Sequence, residues 1–180
     1  MRALPVPVRQ LAGLASFALL TNQLPAAAQQ LATTTLAGSH TVQPILQGWR
    51  FHQAGKDNWQ PATVPGCVHT DLLATKQIPD PLYRDNELQL QWIGKVDWDY
   101  ETTFDVAPAT LRRQHLELVF KGLDTYADVT LNGTAILHTD NMFREWRAEV
   151  KPQLRATGNR LLIHFRSPLN EVAALPKKYG

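Results

Sequence analysis

Cysteine is almost absent: Cys67 is the single thiol in 180 residues. No intrachain disulfide can form, even in an oxidising compartment, so stability must come from a hydrophobic core. A chain of this size can supply one, because a domain of about 150 residues removes roughly 68–70% of its unfolded surface from water. Charge of one sign is also lacking. The 18 Lys and Arg nearly balance the 16 Asp and Glu, giving a formal +2. Without a basic stripe there is no electrostatic footprint for nucleic acid or for an acidic membrane surface.

Long apolar runs are missing as well. The clearest, LAGLASFALL from Leu11 to Leu20, falls well short of the roughly 20 residues that span a bilayer. Six histidines are scattered without an H-x-x-x-H spacing or a C-x-x-C partner, so no zinc signature exists and no metal is expected. Nor is there a glycine-rich phosphate loop or a G-x-S-x-G elbow, which leaves no nucleotide cofactor to expect.

What is present at the N-terminus reads as an address. Arg2 and Arg9 precede the Leu11–Leu20 run, and Ala26-Ala27-Ala28 supplies the small residues a signal peptidase accepts. A signal peptide is therefore expected over residues 1–28, cleaved before Gln29, with a periplasmic or secreted destination. Cleavage would remove Arg2 and Arg9 and bring the formal charge from +2 to zero. Residues 29–40 (QQLATTTLAGSH) are small, polar and aperiodic and read as a flexible leader. The domain proper is expected over residues 41–180.

From Thr41 onward, short aromatic and β-branched segments alternate with turn signals. In HLELVFKGL, Leu116, Leu118 and Phe120 face one way and Glu117, Val119 and Lys121 the other, the period of a half-buried strand. Ala127, Val129 and Leu131 lead into Asn132-Gly133, the strongest short hairpin signal, since both central residues of a type I′ turn need positive φ. Leu161, Ile163 and Phe165 form another alternating run, which stops at Ser167-Pro168. Further strands are expected at Gly48 to Gln53, Asp99 to Val106 and Arg144 to Val150. One helix is expected over Val68 to Gln77, where Val68, Leu72 and Leu73 share a face. One short helix among about seven strands points to an all-β sandwich.

Three groups of residues invite a chemical role. Cys67 and His69 resemble a thiol beside a base, but no orienting third group accompanies them, and packing at the helix start is the simpler reading. Asp85 and Glu87, two apart in YRDNELQLQW, would share a face roughly 7 Å apart if extended, within the range for paired glycosidase carboxylates. Two acids on one rim would lack the different environments that assign acid and base roles, so holding a ligand suits them better than catalysis. Five tryptophans, Trp49, Trp59, Trp92, Trp98 and Trp146, point to sugar, because an indole face stacks on a pyranose while carboxylates and amides take its hydroxyls. At least three of them are expected in the core, with Trp92 and Trp98, flanking Gly94, the most exposed.

Four stretches, WRFHQAGKDNWQPATVPGCVHTDLL, IPDPLYRDNELQLQWIGKVDWDYETTF, LELVFKGLDTYADVTLNG and TDNMFREWRAEV, together resemble the N-terminal domain of β-mannosidases in glycoside hydrolase family 2. The resemblance runs over roughly residues 45 to 170. It implies a jelly-roll β-sandwich of the galactose-binding-like type that packs on a downstream (β/α)8 barrel. That barrel carries both catalytic glutamates and removes terminal β-linked mannose with retention and without metal. A barrel alone needs about 250 residues, so no catalytic residue is expected in this chain. Relatives continue into a W-D-W-G-P segment that is absent here, which implies a sandwich incomplete at its C-terminal end. By the same resemblance Asp85, Asn86 and Glu87, with Trp98, are the candidates for pocket-rim or interdomain contacts. The competing reading of that segment is an Arg84–Asp85 pair that braces a loop. Two other functions stay open: a stand-alone carbohydrate-binding module and a structural docking domain.

Overall fold

A computed structural model describes residues 35–36 and 40–173; the expected signal peptide lies outside them. Strands β1 (Thr35–Leu36) and β2 (His40–Thr41) pair with each other. The main compact unit begins at Pro44. Its principal layer is a six-stranded antiparallel sheet built from β3 (Arg50–Gln53), β4 (Gln60–Pro61), β5 (Trp98–Phe104), β7 (Tyr126–Leu131), β8 (Thr134–Asp140) and β10 (Asn159–Phe165), in the order β4-β3-β5-β10-β7-β8. A second sheet pairs β6 (Glu117–Phe120) with β9 (Trp146–Glu149).

The register sorts the side chains by face. Phe51, Tyr100, Ile163, Val129 and Leu137 form one cross-strand row, and all belong to or pack on the hydrophobic core. Leu118, Phe120, Ala148 and Val150, on or beside the second sheet, reach the same core. The two sheets thus close on one apolar interior, as the period-two patterns require. Phe51 stacks on Tyr100 with centroids 5.5 Å apart. Burying a ring of this kind stabilises by about 1.5–3 kcal/mol.

Local chemistry explains the connections. Asn132 and Gly133 take φ of 52° and 83° at the β7–β8 turn, the expected type I′ hairpin. The Asn132 amide also donates to the Gln153 carbonyl at 2.7 Å and accepts from the Arg160 N–H at 2.9 Å, pinning the turn to β10 and its neighbour. Helix α1 covers Val68–Ala74, three residues shorter than the sequence pattern suggests. It stops because Lys76 adopts φ 58° while the Gln77 N–H bonds the Leu72 carbonyl and the Lys76 N–H the Leu73 carbonyl, a Schellman closure. Leu72 is buried, but Leu73 turns outward. Three further short helices, α2 (Asn86–Gln89), α3 (Pro108–Leu111) and α4 (Pro168–Ala173), occupy connections. They carry little periodicity because four to six residues make scarcely one turn each.

Two tryptophans, not three or more, are buried: Trp49 at 8% exposure and Trp98 at 7%. Trp59 and Trp146 are half-buried and Trp92 is exposed. Flanking aromatic and cationic groups take up the difference. Trp59 stacks on His52, and the Arg50 and Arg144 guanidinium groups lie over Trp59 and Trp146.

Candidate functional site

The rim segment folds differently from an extended strand. Asp85 is the N-cap of α2, and Glu87 lies within its first turn. Residues two apart on a helix do not face each other, so the two carboxylates diverge and cannot form the pair that an extended chain would give. Both are exposed. Asn86 instead braces the loop, its amide donating to the Asp80 carbonyl at 2.8 Å. Arg84, at φ 54°, lies over the Tyr83 ring, 5.1 Å from its centroid. Among the described residues it forms no ion pair with Asp85.

Trp98 corrects the sequence reading more sharply. It opens β5, is 7% exposed, and donates its indole N–H to the Ile93 carbonyl at 3.0 Å. Alternation places it on the core face with Tyr100, which the aromatic-rich context concealed. Trp92 is the exposed partner at 39%, its ring tilted against Trp98 with centroids 6.0 Å apart.

Beside Trp92 the β3–β4 connection walls a small open cleft with Phe51 and Trp98 behind it. The connection is held by several contacts. Ala54 donates to the Asp97 carbonyl at 2.9 Å, Lys56 to the Gln53 carbonyl at 3.1 Å, and the His52 ring contacts the Lys56 carbonyl. Gly55, at φ 80°, permits the turn.

The sheet face opposite the core is polar and ordered. His52, Asp99, His164, Asp128 and His138 form one cross-strand row over five adjacent strands. Asp99 receives His52 Nε2 at 3.1 Å and His164 Nδ1 at 2.6 Å. Asp128 receives His138 at 2.5 Å and Arg166 at 3.1 Å. On the same face Glu101 is held between Arg50, its cross-strand partner, and Arg160, which reaches it diagonally from β10. Burial raises the Glu101 pKa, but the hydrogen bonds and charges of Arg160 and Arg50 together outweigh it and hold the carboxyl below its ordinary range.

A second buried carboxylate sits on α1. Asp71 is 2% exposed and accepts the Tyr100 hydroxyl at 2.8 Å and the Thr63 N–H at 2.9 Å. Burial, then the Asp71 hydrogen bond, pushes the Tyr100 phenol well above its ordinary pKa. The sequence showed Asp71 only as a first-turn acid; its partner is 29 residues away. Cys67 and His69 do not form a nucleophile and base. Cys67 is the exposed N-cap of α1, its N–H donating to Thr70 Oγ1 at 3.3 Å. Among the described residues no three His, Cys, Asp or Glu side chains are grouped to hold a metal ion.

The chain as a whole is similar to known proteins. The family profile described as the glycosyl hydrolase 2 galactose-binding domain-like domain matches residues 49–180. Beta-mannosidase B of Thermothelomyces thermophilus is 45% identical over 129 residues, 70% of this chain and 15% of that protein. The beta-mannosidase of Bos taurus is 38% identical over 121 residues, 67% of this chain and 14% of its own length. Among solved structures, the beta-D-mannosidase from Dictyoglomus thermophilum aligns at a TM-score of 0.71 with 40% identity, covering 73% of this chain and 16% of that one. The exo-chitosanase CsxA of Amycolatopsis orientalis, at a TM-score of 0.60 and 20% identity, shares the fold. The chain therefore spans about one-seventh of the length of the curated relatives it matches.

Proposed function

The chain belongs to the glycosyl hydrolase 2 galactose-binding-like domain family, and from that premise we propose that it is the N-terminal, non-catalytic domain of a retaining exo-acting β-mannosidase. The observation that carries the reading is the 40% identity and TM-score of 0.71 to a solved beta-D-mannosidase over 73% of the chain. The geometry agrees with a supporting role. Asp85 and Glu87 are exposed and diverge on α2, and the buried carboxylates, Asp71 and Glu101, are consumed by internal partners.

The rim segment suits packing against a downstream (β/α)8 barrel. Leu82, Tyr83 and Leu88 stand 95%, 57% and 69% exposed around α2, more apolar surface than a solvent-facing turn needs. Asp85 and Glu87 flank them with carboxylates for sugar hydroxyls or for the barrel. Trp98 contributes through Trp92 and the core rather than by contact. The substrate class is a terminal β-D-mannoside, with no cofactor or metal required. Arg2, Arg9, the Leu11–Leu20 run and Ala26–Ala28 support export to the periplasm or outside the cell.

Sequencing the coding DNA past codon 180 tests this directly. A frame continuing into a barrel with two glutamates is expected, and its product should release mannose from a chromogenic β-mannoside. A continuation into an unrelated domain would overturn the reading.

A further inference from the structure

Three histidines share the polar cross-strand row, and their partners differ in kind. His52 Nε2 lies 3.1 Å from one Asp99 oxygen, while its Nδ1 contacts the Lys56 carbonyl. Both partners can only accept. His164 has similar surroundings, with Nδ1 2.6 Å from the other Asp99 oxygen and Nε2 3.7 Å from Asp97. His138 is different: its Nδ1 meets Asp128 at 2.5 Å, but its Nε2 faces an Arg166 guanidinium nitrogen at 3.4 Å, which can only donate.

A neutral imidazole carries one N–H and one lone pair, and only the imidazolium donates from both nitrogens. Neutral His138 therefore suits its neighbours. Neutral His52 would turn a lone pair on either the Asp99 carboxylate or the Lys56 carbonyl, and its side chain is only 10% exposed, which leaves water little room to intervene. The surrounding charges favour the second proton. Asp97 and Asp99 face the rings, while the nearby cations are matched by other acids: Arg50 and Arg160 by Glu101, Arg166 by Asp128 and Glu171. Lys56 and Asp57 on the β3–β4 connection are exposed. Trp59 stacks on His52 with centroids 3.8 Å apart, and an indole face attracts a cation.

We propose that His52 and His164 are imidazolium ions clamping Asp99 between them, a pH-sensitive device that fastens the β3–β4 connection to the sheet in mildly acidic solution and releases it as pH rises. The clamp needs an ionised carboxylate and charged rings together. Free carboxyl and imidazole groups are both charged between about pH 4 and about pH 6.5. The fastening is present while the rings hold both protons and is lost as pH rises and they give one up. Deprotonated His52 sets a lone pair against an oxygen and no longer draws on the Asp99 charge, so the Lys56 turn and the Trp59 stack loosen with it. His138 serves as an internal contrast, because a second proton there would point an N–H at Arg166. The device is independent of the function proposed above.

The test is NMR of the nitrogen-15-labelled 180-residue chain. Ring-nitrogen spectra at about pH 6 should show two N–H groups on His52 and on His164 but one on His138. Amide exchange reads the release. The Ala54 and Lys56 N–H groups bond the Asp97 and Gln53 carbonyls. Their exchange, corrected for catalysis by solvent, should rise about tenfold relative to β10 amides between about pH 6 and about pH 8. His52→Gln and Asp99→Asn should each abolish that rise, with the β10 amides reporting whether each variant is folded. A single N–H on His52 at the lower pH would overturn the clamp. So would exchange at Ala54 and Lys56 that is constant with pH, or a rise that survives in folded His52→Gln.

Discussion

His52 and His164 approach one carboxylate, Asp99, from the strands on either side of β5, with ring nitrogens 3.1 and 2.6 Å from its two oxygens. Each oxygen is occupied by a different strand, so one side chain ties β3, β5 and β10 together on the face away from the core. Backbone ladders already pair these strands. What Asp99 adds is a lateral constraint that also fixes His52, and through it Trp59 and the cleft wall.

Asp99→Asn keeps the shape but removes the charge that both rings face. Hydrogen bonds to charged groups contribute about 1.5–3 kcal/mol, and the Asp99 side chain is only 17% exposed. A loss of about 1–2 kcal/mol is expected by denaturant titration. An unchanged midpoint would show that the two imidazoles contribute nothing there.

Glu101 dictates an acid limb. Its carboxyl is held below the ordinary range in the folded chain and returns to about 4.3 when unfolded. The stability it supplies is fully present above that unfolded value and is lost as pH falls through the folded one. Melting temperature should therefore decline on acidification below about pH 4.5. Glu101→Gln should flatten that decline while lowering stability at neutral pH. Arg50 and Arg160, with side chains 51% and 57% exposed, can hydrate when released, so the variant should still fold.

Core and rim aromatics should separate cleanly. Phe51 is 1% exposed and packs into the core from β3, one strand in from the edge of the six-stranded sheet, so Phe51→Ala is expected to cost about 3–5 kcal/mol. Trp92→Ala, at an exposed ring, should cost under about 1 kcal/mol. Equal losses measured by urea unfolding would contradict the assignment of Trp92 to a surface.

Gly66 is required for a reason of space. A Cβ there would lie 2.2 Å from the Thr63 carbonyl oxygen, and backbone cannot retreat as a flexible side chain can. Gly66→Ala should destabilise by about 1–3 kcal/mol and displace Thr63, whose N–H bonds Asp71. Thermal melts of this variant beside Gly122→Ala, where a Cβ meets nothing within 4 Å, provide the control.

The chain by itself should not hydrolyse a chromogenic β-mannoside. Retaining hydrolysis needs two carboxyl groups about 5–5.5 Å apart across a bond, and Asp85 and Glu87 point in different directions from α2. In a longer protein that includes a barrel, Glu87→Gln should raise KM more than it lowers kcat, as expected of a group that holds sugar without reacting. Turnover by the isolated chain that disappears in Glu87→Gln would refute this.

Much of the architecture was legible because strand burial has a period of two that survives in a single sequence. The runs at Leu116–Phe120, Ala127–Leu131 and Leu161–Phe165 and the Asn132-Gly133 turn are all found where alternation and turn chemistry place them. The resemblance to glycoside hydrolase family 2 rests on longer stretches and is matched by the family profile. The rim was harder. A four-residue helix at Asn86–Gln89 has no period to detect, so Asp85 and Glu87 looked like neighbours on one face. Trp98 looked like a surface indole until its register with Phe165 placed it inward.

Local pattern thus determined the class of fold, the faces of its strands and the lack of a metal or nucleotide motif, because these follow from nearest-neighbour chemistry along the chain. Only the tertiary structure decided which charges meet. Asp71 finds Tyr100, Glu101 finds Arg50 and Arg160, and Asp99 finds His52 and His164 across separations of 29 to 65 residues. Those pairings depend on strand order and register, and the alternation of a single strand carries neither.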